Sequence, residues 1–195
     1  MKIAVDIDDT LNTIERAKYA GDYFQENALP FCVTDSDANA FVRVANWGED
    51  DVIKFIHAGG YKAFRDALPR EGAREVLARW KQEGHTVLIL TARLKSWFQD
   101  PFALSHDWLT KYGFPFSELV ADVEEKGKYC REHRVDVLID DNLTQLRSAR
   151  ENGVVPVLAV RAATEGAKEE FPFRGETWEE IERAVALIAQ EREKA

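Results

Sequence analysis

The chain is expected to fold as an α/β protein, a doubly wound parallel sheet of five strands with a small helical cap inserted after the first strand. Three observations carry this expectation. Short apolar runs recur at Ile3–Val5, Val87–Leu90, Leu119–Ala121, Val135–Ile139 and Val154–Val160, the pattern of buried strands. Amphipathic helical stripes separate the later runs, and strands alternating with helices form parallel crossovers. Carboxylates stand just past two of the runs, Asp6 and Asp8 after the first and Asp140-Asp141 after the fourth.

The helices follow from spacing. Ala73, Val76, Leu77 and Trp80 fall at i, i+3, i+4 and i+7, with Pro69 as a start signal and Gly84 as a stop. Leu104, Trp108, Leu109 and Tyr112 make a second stripe, closed by Gly113. Leu143, Leu146 and Ala149 give a weaker third, ending near Gly153. The last stripe, Ile181, Ala184, Val185 and Ile188, is opened by a capping box in which Thr177 faces Glu180. The tail after Ala189 is charged and is expected to fray.

One connection breaks the rhythm. From Asp6 to Val87 the chain runs for about eighty residues, where a crossover usually needs a few dozen. Ile14, Ala17, Lys18 and Phe24 suggest a helix leaving the core. A second begins near a capping segment, Thr34–Asp37, and carries Ala38, Phe41, Val42 and Ala45. A third has Val52, Phe55 and Ile56 and stops at Gly59-Gly60. Residues 16–67 are therefore read as the cap, and 1–15 with 68–195 as the core domain; two extra core helices are the alternative.

Composition sets limits on function. At 195 residues, 45% apolar and 31% charged, the chain is an ordinary globular protein with room for one good core and a modest second module. Its formal net charge of −9 disfavours a nucleic acid polymer or an anionic membrane face as partner. A small phosphorylated substrate remains compatible, because a local metal and lysine can invert the field inside a pocket. The two cysteines, Cys32 and Cys130, have no ligand spacing, so neither a disulfide framework nor a zinc site is expected. Asp6 and Asp8 interrupt any apolar leader near Met1, and no run reaches membrane-span length. A soluble, cytoplasmic protein is the expectation.

In a doubly wound sheet, ligands gather outside the carboxyl ends of the strands at the topological switch point. Asp6, Asp8, Thr91 and Asp140-Asp141 stand just past such ends on three different strands. Acidic groups brought together there repel one another unless a cation sits between them, which asks for Mg²⁺ and for a phosphate brought to it. The Asp-x-Asp spacing lets both carboxylates face one site as the chain leaves the sheet, while Ile7 turns back into the core.

These residues carry a resemblance. Asp6-Ile7-Asp8-Asp9-Thr10 resembles the DxDxT signature of the haloacid-dehalogenase-like (HAD) phosphohydrolases. Val87-Leu88-Ile89-Leu90-Thr91 is similar to their second motif, and Val137-Leu138-Ile139-Asp140-Asp141 to their acidic fourth. The motifs, in order, cover Met1 to about Val160. The resemblance implies Asp6 as nucleophile, forming an aspartyl-phosphate. It implies Asp8 as the acid that protonates the leaving oxygen and then takes a proton from water. Thr91 would offer its hydroxyl to a phosphoryl oxygen. The family's lysine, which neutralises phosphoryl charge, is Lys126 or Lys128. Lys126 is favoured, opening a helix with Tyr129, Cys130 and His133 fifteen residues before Asp141. The implied Mg²⁺ ligands are the Asp6 side chain, the Asp8 main-chain carbonyl and Asp141, with Asp140 behind or reaching through water. Asp9 reads as a solvated or capping residue, and Thr10 as a brace for Asp8 or a plain turn residue. Asp8 also argues against dehalogenation, since halide release needs no proton donor.

A closer likeness lies in Pro69-Arg70-Glu71-Gly72-Ala73, Thr91-Ala92-Arg93, Asp107-Trp108-Leu109 and Thr177-Trp178-Glu179-Glu180-Ile181. Together they resemble the cytosolic type C 5′-nucleotidase (deoxyribonucleotidase) family and its bacterial relatives. That likeness implies hydrolysis of (deoxy)nucleoside monophosphates, with Thr91, Ala92, Arg93 and Lys126 on the substrate. Tyr23, Phe24, Phe41, Trp47 and Tyr61 could stack on a base or form the cap's own core. Arg43 and Arg93 could meet a phosphate or ribose, or pair on the surface. His57 and His85 read as ordinary polar residues. A phosphatase of a sugar phosphate or other metabolite, a phosphotransferase, and a non-catalytic phosphate- or nucleotide-binding module are the alternatives.

Overall fold

The protein, here as a computed structural model, is described over residues 1–30, 32–35 and 40–194. The chain enters through β1 (Lys2–Val5) and leaves the sheet at Asp6. A two-residue strand, β2 (Asn12–Thr13), starts an excursion of short helices: α1 (Arg16–Glu26), α2 (Phe41–Val44) and α3 (Glu49–Phe55). A wide turn over Ile56–Gly60 and α4 (Lys62–Arg65) follow. The excursion closes at β3 (Leu68–Pro69), which pairs antiparallel with β2, Asn12 opposite Pro69. Strands and helices then alternate: α5 (Ala73–Gln82), β4 (Thr86–Leu90), α6 (Pro101–Lys111), β5 (Glu118–Val120), α7 (Lys126–Glu132) and β6 (Val137–Asp140). The chain finishes with α8 (Leu143–Glu151), β7 (Val155–Ala159), a 3₁₀ stretch over Ala162–Glu170, β8 (Arg174–Gly175) and α9 (Trp178–Lys194).

The main sheet is parallel, in the order β5-β4-β1-β6-β7-β8. From β1 the chain winds outward through β4 to β5, then crosses back to β6 and outward again. The topological switch point therefore lies at β1 and β6, where Ile3 sits opposite Val137 and Val5 opposite Ile139. Alternate side chains divide between the two faces. Ile3, Val5, Val87, Ile89, Val137 and Ile139 pack against the apolar stripes of α5, α6 and α9. Ala4, Leu88, Leu90, Leu138 and Leu158 pack against Cys130, Leu146 and Ala149 on the other side. Each fully buried Val, Leu or Ile there contributes about 1.5–3 kcal/mol. A third apolar cluster gathers Phe24, Phe41, Val44, Val52, Phe55, Ile56 and Phe64 of the helical excursion, joined by Phe98 from beyond β4.

The five expected strands are present, and the sheet is one strand wider than expected. Among the described residues it has six, because Arg174–Gly175 adds to its edge opposite Leu158 and Ala159. Two residues beside Pro172 are too short for a periodic signal. The second helix of the excursion is a single turn. Thr34 does not cap its start: its hydroxyl donates to the Arg43 carbonyl at 2.8 Å and its N–H to that of Val44 at 2.7 Å. Ala38 and Ser36–Asp37 of that expected segment lie outside the described residues. The expected stop at Gly59-Gly60 falls where Gly59 takes φ +119°, and a Cβ on Gly60 would meet the Phe55 ring at 2.3 Å. The capping box of α9 is formed, with Glu180 N–H donating to Thr177 Oγ1 at 3.3 Å and Thr177 N–H to Glu180 Oε2 at 3.4 Å. The charged tail stays helical to Lys194 rather than fraying, anchored where Arg192 Nη2 meets Asp136 Oδ1 at 2.5 Å. No described helix is long and apolar enough to cross a membrane.

Helix α7 lies hard against α8. A Cβ on Gly127 would come within 2.4 Å of the Ser148 carbonyl carbon, so only glycine permits this approach. Gly127→Ala should lower stability by about 1–3 kcal/mol through forced overpacking. A urea midpoint equal to that of the parent would contradict the contact.

Candidate active site

Past the carboxyl end of β1, Asp6 continues the strand direction, and its N–H donates to the Ile139 carbonyl at 3.0 Å. That bond sets the Asp6 and Asp140 side chains next to each other at the switch point. Both are buried, and Lys126 Nζ stands between them, 2.5 Å from Asp6 Oδ1 and 2.7 Å from Asp140 Oδ2. Lys126 begins α7. Gln145 of α8 braces it, accepting the Lys126 N–H at 3.0 Å and donating to the Glu124 carbonyl at 2.7 Å. Lys128 points away, exposed, with Glu125 Oε2 4.0 Å off. Of the two candidate lysines, Lys126 is the one that faces the carboxylates.

The charges perturb one another. Burial pushes the Asp6 carboxyl up to about 7, Asp140 and Asp8 add to this, and Lys126 opposes it. Lys126 keeps its proton well above the usual lysine range: burial works against the ammonium, but Asp140 and Asp6 outweigh it. Asp140 Oδ1 also accepts the Asn142 N–H at 2.8 Å, so both Asp140 oxygens are engaged. Asp6, Asp140 and Asp141 each offer an oxygen within 4.8 Å of the others. An all-oxygen set of this kind suits a hard divalent ion such as Mg²⁺ and would be a poor zinc site.

Asp8 faces the same cavity from the next turn of the loop. Arg93 grips it at both oxygens, Nη2 to Oδ1 at 2.6 Å and Nε to Oδ2 at 2.9 Å. Burial would raise the Asp8 carboxyl, but the charge and hydrogen bonds of Arg93 hold it below the usual range. Arg93 is buried, not a surface ion pair; Ser105 Oγ lies 3.3 Å from its Nη1. Arg43, by contrast, is exposed and pairs with Asp35 at 3.1 Å. Thr91 directly follows β4, buried, and its Oγ1 accepts the Arg93 N–H at 3.3 Å.

The loop after β1 differs from expectation in two places. The Thr10 hydroxyl is buried without a hydrogen-bond partner among the described residues. Asn12 does the bracing instead, its Nδ2 donating to Asp8 Oδ1 at 3.2 Å and its Oδ1 accepting the Asp9 N–H at 2.9 Å. Asp9 is not solvated. It is buried at φ +61°, accepts the Ile14 N–H at 3.1 Å and forms an ion pair with Arg16.

A cavity of about 210 Å³ sits above these groups, and Asp6, Asp8, Thr91, Ala92, Arg93, Lys126, Asp140 and Asp141 all line it. Every site residue expected from the sequence thus reaches one space. Its roof is apolar: Phe41, Val42, Val52, Phe64, Trp97 and Phe98. Of the five aromatic residues proposed for base stacking, Phe41 lines this cavity. Tyr23 and Trp47 pack with Phe55 and with each other inside the helical cluster, and Phe24 packs on Trp47, at ring separations of 5.1–5.7 Å. Phe64, Trp97, Phe98 and Arg16 were not anticipated. Trp97 and Phe98 lie in a connection without periodicity, and Arg16 carries no motif signal. Neither His57 nor His85 lines the cavity; His85 Nδ1 instead sits 3.1 Å from the Met1 nitrogen.

A parallel sheet bearing this carboxylate–lysine cluster at its switch point defines a HAD-like phosphohydrolase. Solved structures of that superfamily share the fold. A protein described as a predicted phosphatase from Clostridium acetobutylicum is 12% identical, covers 95% of this chain and 97% of its own, and has a TM-score of 0.65. A HAD-superfamily hydrolase, subfamily IA, from Geobacter sulfurreducens is 15% identical over 95% of this chain and 99% of that one, with a TM-score of 0.62. CbbY from Rhodobacter sphaeroides, solved with Xylulose-(1,5)bisphosphate, is 17% identical over 90% and 93%, also with a TM-score of 0.62. No curated protein matches the chain by sequence. The family model described as "5' nucleotidase, deoxy (Pyrimidine), cytosolic type C protein" matches residues 1–192. The chain belongs to that family.

Lys126→Met would leave Asp6 and Asp140 buried without their cation, which should cost about 3–5 kcal/mol at pH 8. The Asp6 carboxyl titrates near 7 even with Lys126 present, so protonation as pH falls favours the folded state. The deficit should therefore shrink from pH 8 to pH 6 in denaturant titrations. A deficit independent of pH would contradict this account.

Proposed function

We propose that the protein is a Mg²⁺-dependent phosphomonoesterase of the 5′-nucleotidase type, acting on (deoxy)nucleoside monophosphates in the cytoplasm through an aspartyl-phosphate. The observation that carries this reading is the meeting of Asp6, Asp8, Lys126 and Asp141 around one cavity. A nucleophile, a proton donor, a fixed cation and a metal-binding acid are what phosphoryl transfer requires. Family membership and the aromatic roof of Phe41, Phe64, Trp97 and Phe98 support a nucleotide as substrate, since a base can stack there.

In this reading Asp6 attacks phosphorus, the ester P–O bond breaks, and Asp8 gives its proton to the departing alkoxide. Water then attacks the Asp6 acyl phosphate, Asp8 takes the water's proton, and inorganic phosphate leaves. Lys126 holds Asp6 in place and neutralises phosphoryl oxygens, while the Thr91 hydroxyl donates to one of them. Bound Mg²⁺ supplies positive charge against the same oxygens. Asp6, the Asp8 carbonyl and Asp141 would hold it, with Asp140 behind them on Lys126 and the Asn142 N–H. The grip of Arg93 on Asp8 has to loosen before Asp8 can carry a proton. Arg93 and the Ala92 backbone are then free to meet the substrate. Residues 16–67 act as the cap that closes this space from water.

The test is phosphate release from a panel of nucleoside monophosphates and sugar phosphates. Activity should vanish with a chelator and return with Mg²⁺. Asp6→Asn should lower kcat by about 10⁴-fold or more, and Asp8→Asn by about 10²–10⁴-fold. Equal turnover by the parent and Asp6→Asn ends the enzymatic reading. Sugar phosphates cleaved as well as nucleotides would end the nucleotide assignment alone.

A further inference from the structure

Two passages join the helical excursion to the sheet, residues 10–13 on the way out and 67–70 on the way back, and a buried indole of the core holds each. Trp108 Nε1 donates to the Ala67 carbonyl at 2.8 Å. Trp178 Nε1 donates to the Thr10 carbonyl at 3.2 Å. Trp178 opens α9, is fully buried and packs on Trp80 at a ring separation of 6.0 Å, so the core fixes its ring. The half-buried Arg70 adds a second link. Its N–H donates to the Leu11 carbonyl at 2.8 Å, and its Nη1 reaches the Thr10 carbonyl at 3.5 Å. Its Nη2 donates to the Glu176 carbonyl at 2.5 Å, two residues before Trp178.

The two passages differ in what they carry. Between Ile7 and Asn12 the chain coils around one acceptor, the Ile7 carbonyl, which takes the N–H groups of Thr10, Leu11 and Asn12 at 2.9–3.3 Å. Inside that coil Asp9 sits at φ +61°, a left-handed conformation that its surroundings must impose. Asp8 stands on the same coil, and the Asn12 side chain that braces it lies two residues beyond Thr10. A backbone bent against its own preference keeps its shape only as far as outside contacts hold it. At the Thr10 carbonyl those contacts come from Trp178 and Arg70. The returning passage carries none of the cavity's charged groups.

We propose that Trp178, assisted by Arg70, is a positioning residue for Asp8: its indole N–H fixes the loop that aims Asp8 at the leaving group. The role rests on the reading of Asp8 as the acid that protonates the leaving oxygen. Trp178 does not meet the substrate. A displaced proton donor slows the reaction in proportion to how much the leaving group needs the proton. The alkoxide of a nucleoside needs it, whereas p-nitrophenolate is a stable anion that departs without one. A purely structural role would lower both reactions by the same factor.

The measurement is the ratio of kcat/KM on thymidine monophosphate to kcat/KM on p-nitrophenyl phosphate, both taken on one sample of the full chain with saturating Mg²⁺. Unfolded protein cancels in that ratio, and kcat/KM reports the steps up to departure of the alcohol. Trp178→Phe removes the N–H and keeps a ring; the ratio should fall about tenfold. Arg70→Met, at a half-exposed position, should lower it about threefold. Trp108→Phe makes the same deletion at the other passage and should keep the parent's ratio. Asp8→Asn should lower the ratio by about 10²-fold or more. An unchanged ratio in Trp178→Phe, or an equal fall in Trp108→Phe, overturns the proposal. Should Trp178→Phe fail to fold, Arg70→Met decides by the same measure. If Asp8→Asn also keeps the parent's ratio, the acid role of Asp8 fails and that of Trp178 falls with it; a loss confined to Asp8→Asn removes Trp178 alone.

Discussion

The central constraint is the crowding of buried carboxylates at the switch point. A backbone hydrogen bond from Asp6 to Ile139 fixes the register of β1 on β6 and so forces Asp6 beside Asp140. Two carboxylates out of water and near each other cannot stay ionised without a cation. Lys126 supplies it, and the fold is arranged to deliver that one side chain. Gly127 lets α7 approach α8, and Gln145 of α8 fixes the Lys126 backbone. Sheet register, helix packing and site electrostatics are thus a single structural problem. With Asp141 counted, three carboxylates face one ammonium. The remaining negative charge would favour a divalent ion held by the same oxygens.

Around this floor the other charges are paired in a second layer. Arg93 clasps Asp8 and Arg16 clasps Asp9, so two guanidinium groups occupy the wall between floor and roof. Above them the lining turns apolar. Charges beneath a roof of Phe41, Phe64, Trp97 and Phe98 sit in a low local dielectric, where each Coulombic contact is stronger than at the surface. In the proposed reaction, such a setting would strengthen the action of Lys126 on a phosphoryl group. It also makes the Asp8–Arg93 pair hard to open without a substrate anion to replace one partner.

The legible part of the sequence was whatever a short local pattern can encode. Continuous apolar runs placed the five main strands, because a strand buried on both faces has no polar alternation to disguise it. Helical stripes bounded by Gly84, Gly113 and Gly153 placed α5, α6 and α8, each ending at a left-handed glycine. The acidic motifs were legible because chemistry demands carboxylates at strand ends. Lys126 was separable from Lys128 because a residue at the start of a helix points back toward the sheet edge. What stayed hidden depends on contacts distant in sequence. Strand β8 exists only through its edge contact with β7. Arg16, Phe64, Trp97 and Phe98 belong to the site by virtue of how the excursion folds back over β4. Asn12 had no signal of its own, because which loop side chain reaches Asp8 is set by the path of the loop, which no periodicity records.

This division has a physical cause that bears on specificity. The proposed phosphoryl end of the site is built from strand ends, where backbone hydrogen bonding fixes the register. The roof comes from short helices held by aromatic packing: Phe41 on Phe55 at 4.8 Å and Phe64 on Phe98 at 4.9 Å. Packing of that kind tolerates substitution more readily than a buried charge network does. Chemistry can therefore remain constant while the roof is remodelled for different leaving groups. Trp97 and Phe98 are the exception, since they stand in the connection after β4 that also carries Thr91 and Arg93. A change in that connection reaches the roof and the floor of the cavity together, so in the proposed reaction it is the place where substrate shape would be coupled to the position of the reacting groups.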